Sequence, residues 1–216
     1  MDERNENGLA GAVSGALGPK QRELFQLLHA FTAARLETTD ERGARVAEAI
    51  RQGDSARAQR ELHAFLRECW DALDGLGREV NLCMHHLFPD AGLYPPLEMT
   101  RQCTFYMVRK KLHEHPDTAE HPVSRLLWDA TRGDPDRAYE RLSFLYNVSL
   151  FVPVPLPEGR LLPGPDEVPE AVIGILKPAD LPRCEAREGL RQMQNWVREM
   201  VGRCYAQLAE AIGEEK

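Results

Sequence analysis

The sequence predicts an all-α fold: a single-domain helical bundle of about six or seven helices, with a long proline-rich loop before the C-terminal helix. Apolar residues recur at steps of three or four through most of the chain, which is the period of one helix face. Hydrophobic residues make up 43% of the chain and charged residues 28%, so a sizeable core is available. No linker-like segment divides the chain into two separately patterned halves, which favours one domain.

The longest periodic stretch, from Asp54 to Phe88, is the centre of the predicted fold. Its apolar face consists of Leu62, Phe65, Cys69, Leu73, Leu76, Val80, Cys83 and Leu87. Charged residues, including Glu79, lie mostly off that face, and Asp54 is a candidate N-cap. An unbroken helix of this length spans about 50 Å, so it can contact several other helices. Gly75 and Gly77 could admit a kink, because each costs roughly 1 kcal/mol relative to alanine inside a helix.

The N-terminal region is predicted to contain a disordered segment and two helices. Residues 1–18 combine glycine, alanine and scattered charges, which bury too little apolar surface to offset the ordering entropy. Pro19 suits the first turn of a helix that continues to about Thr38. The pair Thr39-Asp40 then favours the start of a separate short helix, which ends near Gly53. The predicted helical domain therefore covers residues 19–216.

Three shorter helices are expected after the central one, which ends at Pro89. They begin at about Leu97, at Pro122 and near Pro135. The first of them runs to His113, with Tyr106 among its inward-facing residues. The break before each helix contains proline, glycine or both, which is typical of connections between helices.

The proline-rich stretch from residue 152 to residue 182 is predicted to be a loop. Prolines recur too often there for a regular helix. A loop of this length inside a compact domain is uncommon and tends to be functional. Helical periodicity resumes from about Cys184 to Ile212, which predicts a long closing helix beside the central one.

Charge and cysteine content restrict the class of protein. The formal net charge of −7 argues against broad non-specific binding to nucleic acid or to an anionic membrane, but it allows a local basic patch. The five cysteines contain no CxxC pair, which indicates a reducing cytoplasm. The chain shows neither a signal-peptide pattern nor an apolar run of about 20 residues. A cytoplasmic protein without a membrane partner is therefore predicted.

No sequence motif identifies an enzyme. The chain has no GxSxG motif and no glycine-rich phosphate loop, so the sequence assigns no catalytic residue and no cofactor. One metal-dependent alternative rests on His113, His115 and His121, because imidazoles at short spacing are metal ligands. The chain has neither HExxH nor a Glu followed three residues later by His. A polar helix end is therefore the favoured interpretation of these histidines.

The basic run from Arg109 to Lys111, with Arg101 one to two turns earlier, is the candidate site for phosphate groups, and Lys110 lies within it. Arg132, Arg137 and Arg141 add to this patch if the following helices fold back near it. The alternative is a solvated charged face without a ligand.

The segment from Asp134 to Pro157 and its flanks resemble the HEPN superfamily, the nucleotide-binding helical domains of higher eukaryotes and prokaryotes. The likeness includes a Phe-Tyr-x-Val-Arg-Lys segment at residues 105–110, a proline-rich stretch and a long closing helix. In catalytic members, an Arg-Asn pair followed after three residues by His is implied to cleave RNA across a dimer. Here Asn147 is retained, whereas Tyr146 and Phe151 stand at the Arg and His positions.

The resemblance implies a member that lacks the known chemistry. The predicted function is a non-catalytic HEPN-like binding module that binds a nucleotide, RNA or a protein partner, with Arg101, Arg109, Lys110 and Asn147 as its binding residues. Two alternatives stay open. One is a hydrolase, either a degenerate ribonuclease or a metal-dependent enzyme that uses the three histidines. The other is a homodimeric interaction protein whose apolar segment Phe151–Leu156 contacts a second copy.

Overall fold

The computed structural model describes residues 3–96, 99, 102–132, 137–151, 154 and 184–214, although not the side chains of residues 3–8 and 14. Regular structure in these residues is helical, without a β-strand, so the predicted all-α fold is confirmed. The helices are α1 (Glu3–Ala16), α2 (Pro19–Arg51), α3 (Ser55–Leu87), α4 (Phe105–Glu114), α5 (Pro116–Ala119), α6 (Pro122–Ala130), α7 (Ala138–Ser149) and α8 (Ala186–Glu214). Apart from Val154, the predicted loop at residues 152–182 lies outside the described residues.

The described residues group into two compact units. The first unit draws on Met1–Ala34, Ala72–Arg132 and Arg198–Lys216, and the second on Arg35–Asp71 and Gly133–Val197. The three longest helices, α2, α3 and α8, contribute residues to both units. The single-domain organisation stays a prediction of the sequence. None of the helices in the described part of the chain has the length and apolar character needed to cross a membrane.

The N-terminal region differs from the sequence expectation in two ways. Where a disordered segment is predicted, the structure has α1, in which Leu9 and Val13 are fully buried. These side chains supply the apolar contact that the composition of the segment alone does not reveal. Helix α2 also continues without a break through Thr39, whose hydroxyl donates to the carbonyl oxygen of Leu36 at 2.6 Å. The Thr39 hydroxyl is therefore satisfied inside the helix, so a new N-cap is not needed there.

Helix α3 is the central helix and runs unbroken from Ser55 to Leu87, close to the predicted bounds. The predicted apolar face is buried except at Leu87, which is partly exposed. The predicted cap is also present, because the backbone N–H of Arg57 donates to Asp54 Oδ1 at 2.9 Å. Burial of one continuous face explains why this helix forms as a single element.

Gly75 and Gly77 mark close helix contacts in the first unit, and α3 has no break at either position. A Cβ atom at Gly75 would lie 2.5 Å from Thr32 Oγ1 of α2. A Cβ atom at Gly77 would lie 2.6 Å from the Cα atom of Phe105, the first residue of α4. The backbone N–H of Phe105 also donates to Asp74 Oδ1 at 3.0 Å, so the start of α4 is tied to α3.

Helix α4 begins at Phe105, later than the predicted start near Leu97. Thr104 is its N-cap, and its side-chain oxygen accepts from the backbone N–H of Met107 at 3.3 Å. Residue 102 and Cys103 lie before the helix, and the residues between 97 and 101, except Met99, lie outside the described residues.

Helices α5 and α6 are each capped by a histidine that precedes a proline. His115 Nδ1 accepts from the backbone N–H of Asp117 at 3.4 Å, and His121 Nδ1 accepts from that of Val123 at 3.2 Å. The prolines occupy the first helical turn, where a missing N–H has no cost. These two caps set the turns through which α6 packs back against α4.

The close contact at Gly77 predicts a large effect of a single methyl group. We expect Gly77→Ala to lower the free energy of unfolding by about 1–3 kcal/mol, because the backbone of Phe105 has to move. A Cβ atom at Gly202 of α8 would meet nothing within 4 Å, so we expect Gly202→Ala to raise it by about 0.5–1 kcal/mol. Urea denaturation followed by circular dichroism measures both changes. Equal effects of the two substitutions would contradict the assigned contact.

The histidine cap of α6 predicts a pH-dependent stability. Burial lowers the pKa of His121, and Nδ1 must be unprotonated to accept the hydrogen bond from Val123. Because the pKa of His121 is lower in the folded state than in the unfolded state, the cap contributes its full stabilisation above about pH 6.5. This stabilisation is lost as the pH falls through the folded pKa. We expect His121→Asn, which caps without titrating, to show a smaller loss of unfolding free energy between about pH 7 and pH 5.

Urea unfolding at several pH values tests this effect, with His121→Ala as the variant without a cap. The alanine variant should lose about 1 kcal/mol at about pH 8, where the neutral histidine cap is intact. An asparagine variant with the full pH dependence of the parent would show that another group titrates.

Candidate functional site

The candidate site is a surface of the first unit formed by α4 and α6. We define the Trp128 surface as Tyr106, Arg109, Lys110, His113, Trp128 and Arg132. The four α4 residues follow the spacing i, i+3, i+4 and i+7, which places them along one helix face. Trp128 lies on α6, and Arg132 follows shortly after the end of that helix. The packing of α4 against α6 brings the two sets together.

Trp128 is the centre of this surface. The imidazole of His113 stacks on it with ring centroids 3.5 Å apart and planes inclined by 8°. The guanidinium carbon of Arg132 lies 4.0 Å from the ring centroid of Trp128, and that of Arg109 lies 5.3 Å from it. Both distances are within the range of cation–π attraction. The ring of Trp128 is therefore already in contact with three side chains.

Arg109 links the tryptophan to a second aromatic ring. Its guanidinium carbon lies 5.2 Å from the ring centroid of Tyr106, and its Nη1 donates to the hydroxyl of Thr131. That hydroxyl donates in turn to the carbonyl oxygen of Trp128 at 2.9 Å. Arg109 is only 9% exposed, so its main role is to hold the two rings in place. The prediction that Arg109 contacts a phosphate directly is thus less well supported than a supporting role.

The solvent-facing part of the surface consists of Tyr106, Lys110 and Arg132. Tyr106 is 48% exposed, contrary to the expectation that it faces the core. Lys110 and Arg132 are also exposed. The Nζ atom of Lys110 lies 3.8 Å from Glu114 Oε1, and exposed ion pairs of this kind contribute little free energy. An anionic ligand could therefore replace Glu114 at low cost.

The other two predicted binding residues are Arg101 and Asn147. Arg101 lies outside the described residues. Asn147 belongs to α7 in the second unit, where its Nδ2 donates to the carbonyl oxygen of Ser143 at 2.7 Å. Its neighbour Tyr146 stacks on Trp70 with ring centroids 4.8 Å apart and planes inclined by 5°. Tyr146 thus has a packing role in this unit.

The three histidines considered as metal ligands have different local roles. His113 stacks on Trp128, whereas His115 and His121 cap α5 and α6 through Nδ1. Within the described ranges, no group of three or more His, Cys, Asp or Glu side chains is arranged to hold a metal ion. Two of the three imidazoles thus have a role at a helix start through Nδ1.

Three buried cysteines, Cys83, Cys103 and Cys204, have raised pKa values. Burial raises the pKa of the Cys103 thiol to about 12. Burial, reinforced by the nearby carboxylate of Glu79, raises the pKa of Cys83 further. Burial likewise raises the pKa of Cys204. These thiols stay protonated at neutral pH, and the thiolate is the reactive form.

Of the three arginines expected near the basic run, Arg132 contacts the same ring as Arg109, whereas Arg137 and Arg141 belong to the second unit. The role of Trp128 is not visible in the sequence. Arg132 and Arg109 contact the same ring, so α6 does fold back against the basic run. The helical spacing of Tyr106 to His113 was a usable signal for one shared face of α4. The partner ring comes from a different helix and depends on the caps of α5 and α6. Periodicity within one helix carries no information about that contact.

The chain matches no protein-family model, no curated protein and no solved structure. The resemblance to the HEPN superfamily therefore stays a prediction, and the chemistry of the Trp128 surface has to be interpreted from its own geometry.

Proposed function

We propose that the protein is a non-catalytic binding module that binds single-stranded RNA or a nucleotide at the Trp128 surface. The observation that supports this function best is the half-exposed ring of Tyr106 on the same surface as the exposed cations Lys110 and Arg132. Proteins that bind single strands combine aromatic rings, on which bases stack, with cations that contact the phosphates. The Trp128 surface offers both within one helix pair.

Tyr106 is the ring on which we expect a base to stack. Arg109 lies over this ring and is itself fixed by the hydroxyl of Thr131, so the ring is oriented before a ligand arrives. Trp128 is a poorer platform, because His113 already stacks on it and Arg132 contacts it. Trp128 therefore supports the surface, and Tyr106 supplies the contact.

Lys110 and Arg132 are the cations expected to contact phosphates. Lys111 is less suitable, because its Nζ donates to the carbonyl oxygen of Gly92 at 2.6 Å and lies 4.7 Å from the ring centroid of Tyr94. Two phosphate contacts to a single strand correspond to a slope of about −1.4 in log K against log salt concentration. The net charge of −7 adds general repulsion, so we expect weak and salt-sensitive binding.

Fluorescence anisotropy with a labelled oligouridine tests this function. We expect Tyr106→Ala to weaken binding about tenfold, because the base loses its stacking partner. Lys110→Gln should reduce the magnitude of the salt slope by about 0.7, because one phosphate contact is lost. The matched control is Lys20→Gln, which removes one exposed positive charge from α2 and should leave the slope unchanged.

Two results would contradict nucleic-acid binding at this surface. One is the absence of any binding by the unsubstituted protein at low salt. The other is an equal effect of Lys20→Gln and Lys110→Gln, which would indicate general electrostatic attraction without a defined site.

A second candidate function is self-association through the end of α7 in the second unit. Leu150 is 56% exposed and the adjacent Phe151 is 64% exposed. Neighbouring exposed apolar side chains of this size are characteristic of protein interfaces. We propose a homodimer in which these two residues contact a second copy of the chain.

Sedimentation velocity at several protein concentrations tests the dimer. We expect Phe151→Asp to weaken association at least tenfold, because a charge would be buried in an apolar contact. Leu27→Asp is the matched control, since Leu27 of α2 is 65% exposed and belongs to the first unit. Association that is equally strong in both variants would rule out this interface, as would a protein that is monomeric at every concentration.

A further inference from the structure

A cavity lies in the first unit between α1 and α2, and it shares no residue with the Trp128 surface. Its volume is about 160 Å³, and its walls include Val13, Arg22, Phe25 and His29. Val13 and Phe25 are buried, whereas Gln26 on the same wall is exposed, so the cavity opens to solvent. An apolar cavity of roughly 150 Å³ is large enough for a benzene-sized molecule.

The inner wall is held by a buried carboxylate. Glu79 of α3 is fully buried and accepts hydrogen bonds from the hydroxyls of Thr32 and, at 3.1 Å, Tyr205. Its Oε2 lies 3.0 Å from His29 Nδ1. Because a carboxylate only accepts, Nδ1 carries the proton and donates it. The imidazole of His29 is thereby fixed as one wall of the cavity.

Aromatic contacts reinforce this orientation. The ring of Phe25 stacks on the imidazole of His29, with centroids 5.5 Å apart and planes inclined by 18°. The ring of Tyr205 lies 4.9 Å from the same imidazole. The cavity therefore has a rigid wall of rings, which suits a flat apolar molecule.

Arg22 supplies the charge that selects the ligand. Its Nη2 donates to the carbonyl oxygen of Leu17 at 3.1 Å, which holds the guanidinium at the cavity. Arg22 is partly exposed and lines the cavity, so its positive charge lies at the cavity wall. A carboxylate is the acceptor that matches the guanidinium geometry.

We propose that this cavity binds a small monocarboxylate with a flat apolar body, whose carboxylate accepts from Arg22 and whose body lies against Phe25 and Val13. The charge comes from the guanidinium, the selectivity for a flat body comes from the rings, and the size limit comes from the volume of about 160 Å³. This site is independent of nucleic-acid binding at the Trp128 surface.

Benzoate is the test ligand, and benzamide is its neutral control of nearly equal size. We expect benzoate to bind at least tenfold more tightly than benzamide in isothermal titration calorimetry with the full chain, because only the carboxylate is charged. Arg22→Gln should abolish that difference. Arg42→Gln should leave it intact, since Arg42 is also a partly exposed arginine of α2 but does not line this cavity.

A further variant, Ala30→Leu, tests the cavity without removing a charged side chain. Ala30 lies on the exposed edge of the cavity, so Ala30→Leu should reduce benzoate affinity by filling the space without a change in charge. The size limit is tested with a biphenyl carboxylate, which should bind at least tenfold more weakly than benzoate. Equal affinities for benzoate and benzamide would overturn the proposal, and so would benzoate binding that is unchanged by Ala30→Leu.

Discussion

The buried carboxylate of Glu79 is the polar contact on which the first unit depends. Its Oε1 accepts from the hydroxyls of Thr32 of α2 and Tyr205 of α8, and its Oε2 contacts Nδ1 of His29 of α2. One side chain of α3 thus connects residues of three helices. A charge buried in this way is strongly destabilising if a partner is removed, so it restricts how the helices can pack. Apolar packing alone would tolerate several helix registers, whereas this set of donors fits one.

The glycines of α3 and Glu79 act together in the same few turns. Gly75 lets Thr32 approach the helix, and the hydroxyl of Thr32 is one of the donors to Glu79. Gly75 and Glu79 lie about one helical turn apart on α3. The glycine leaves room for Thr32, and the carboxylate needs the hydrogen bond that Thr32 donates. Gly77 has the corresponding role toward α4, because Phe105 lies where a Cβ atom would be. The start of α4, and hence the Trp128 surface, is positioned by the same stretch of α3.

Periodic spacing of apolar residues predicted those helices whose bounds depend on residues close together in the sequence. The bounds of α3 agree with the periodic stretch, because a long apolar face is visible in the sequence. The division of α2 at Thr39 was wrong, because a threonine can satisfy its hydroxyl either as a cap or within the helix, and the sequence does not distinguish the two. Glu79 was expected off the apolar face, yet it is fully buried, since its partners come from distant parts of the chain.

The candidate site was predictable to a similar extent. Arg109 and Lys110 were recognised from their charge, and the structure assigns them unlike roles: Arg109 is buried against rings, and Lys110 is exposed. That distinction depends on Trp128, which reaches α4 only through the turns capped by two histidines. Three histidines suggested a metal site by composition, and the structure gives His115 and His121 roles at helix starts through Nδ1, while His113 stacks on Trp128. Residue type indicates which interactions a side chain can make, whereas contacts between helices determine which of them it makes.

Each tryptophan of the chain stacks on or packs against another ring. Trp70 stacks on Tyr146 and Trp196 packs against Tyr139 in the second unit, while Trp128 stacks on His113 in the first. Intrinsic fluorescence therefore carries a separate signal from each unit. Emission from a protein that retains only Trp128 would follow the α4–α6 pair, and emission from the other two would follow the second unit. Tryptophan fluorescence can therefore show whether the two units unfold together or one after the other.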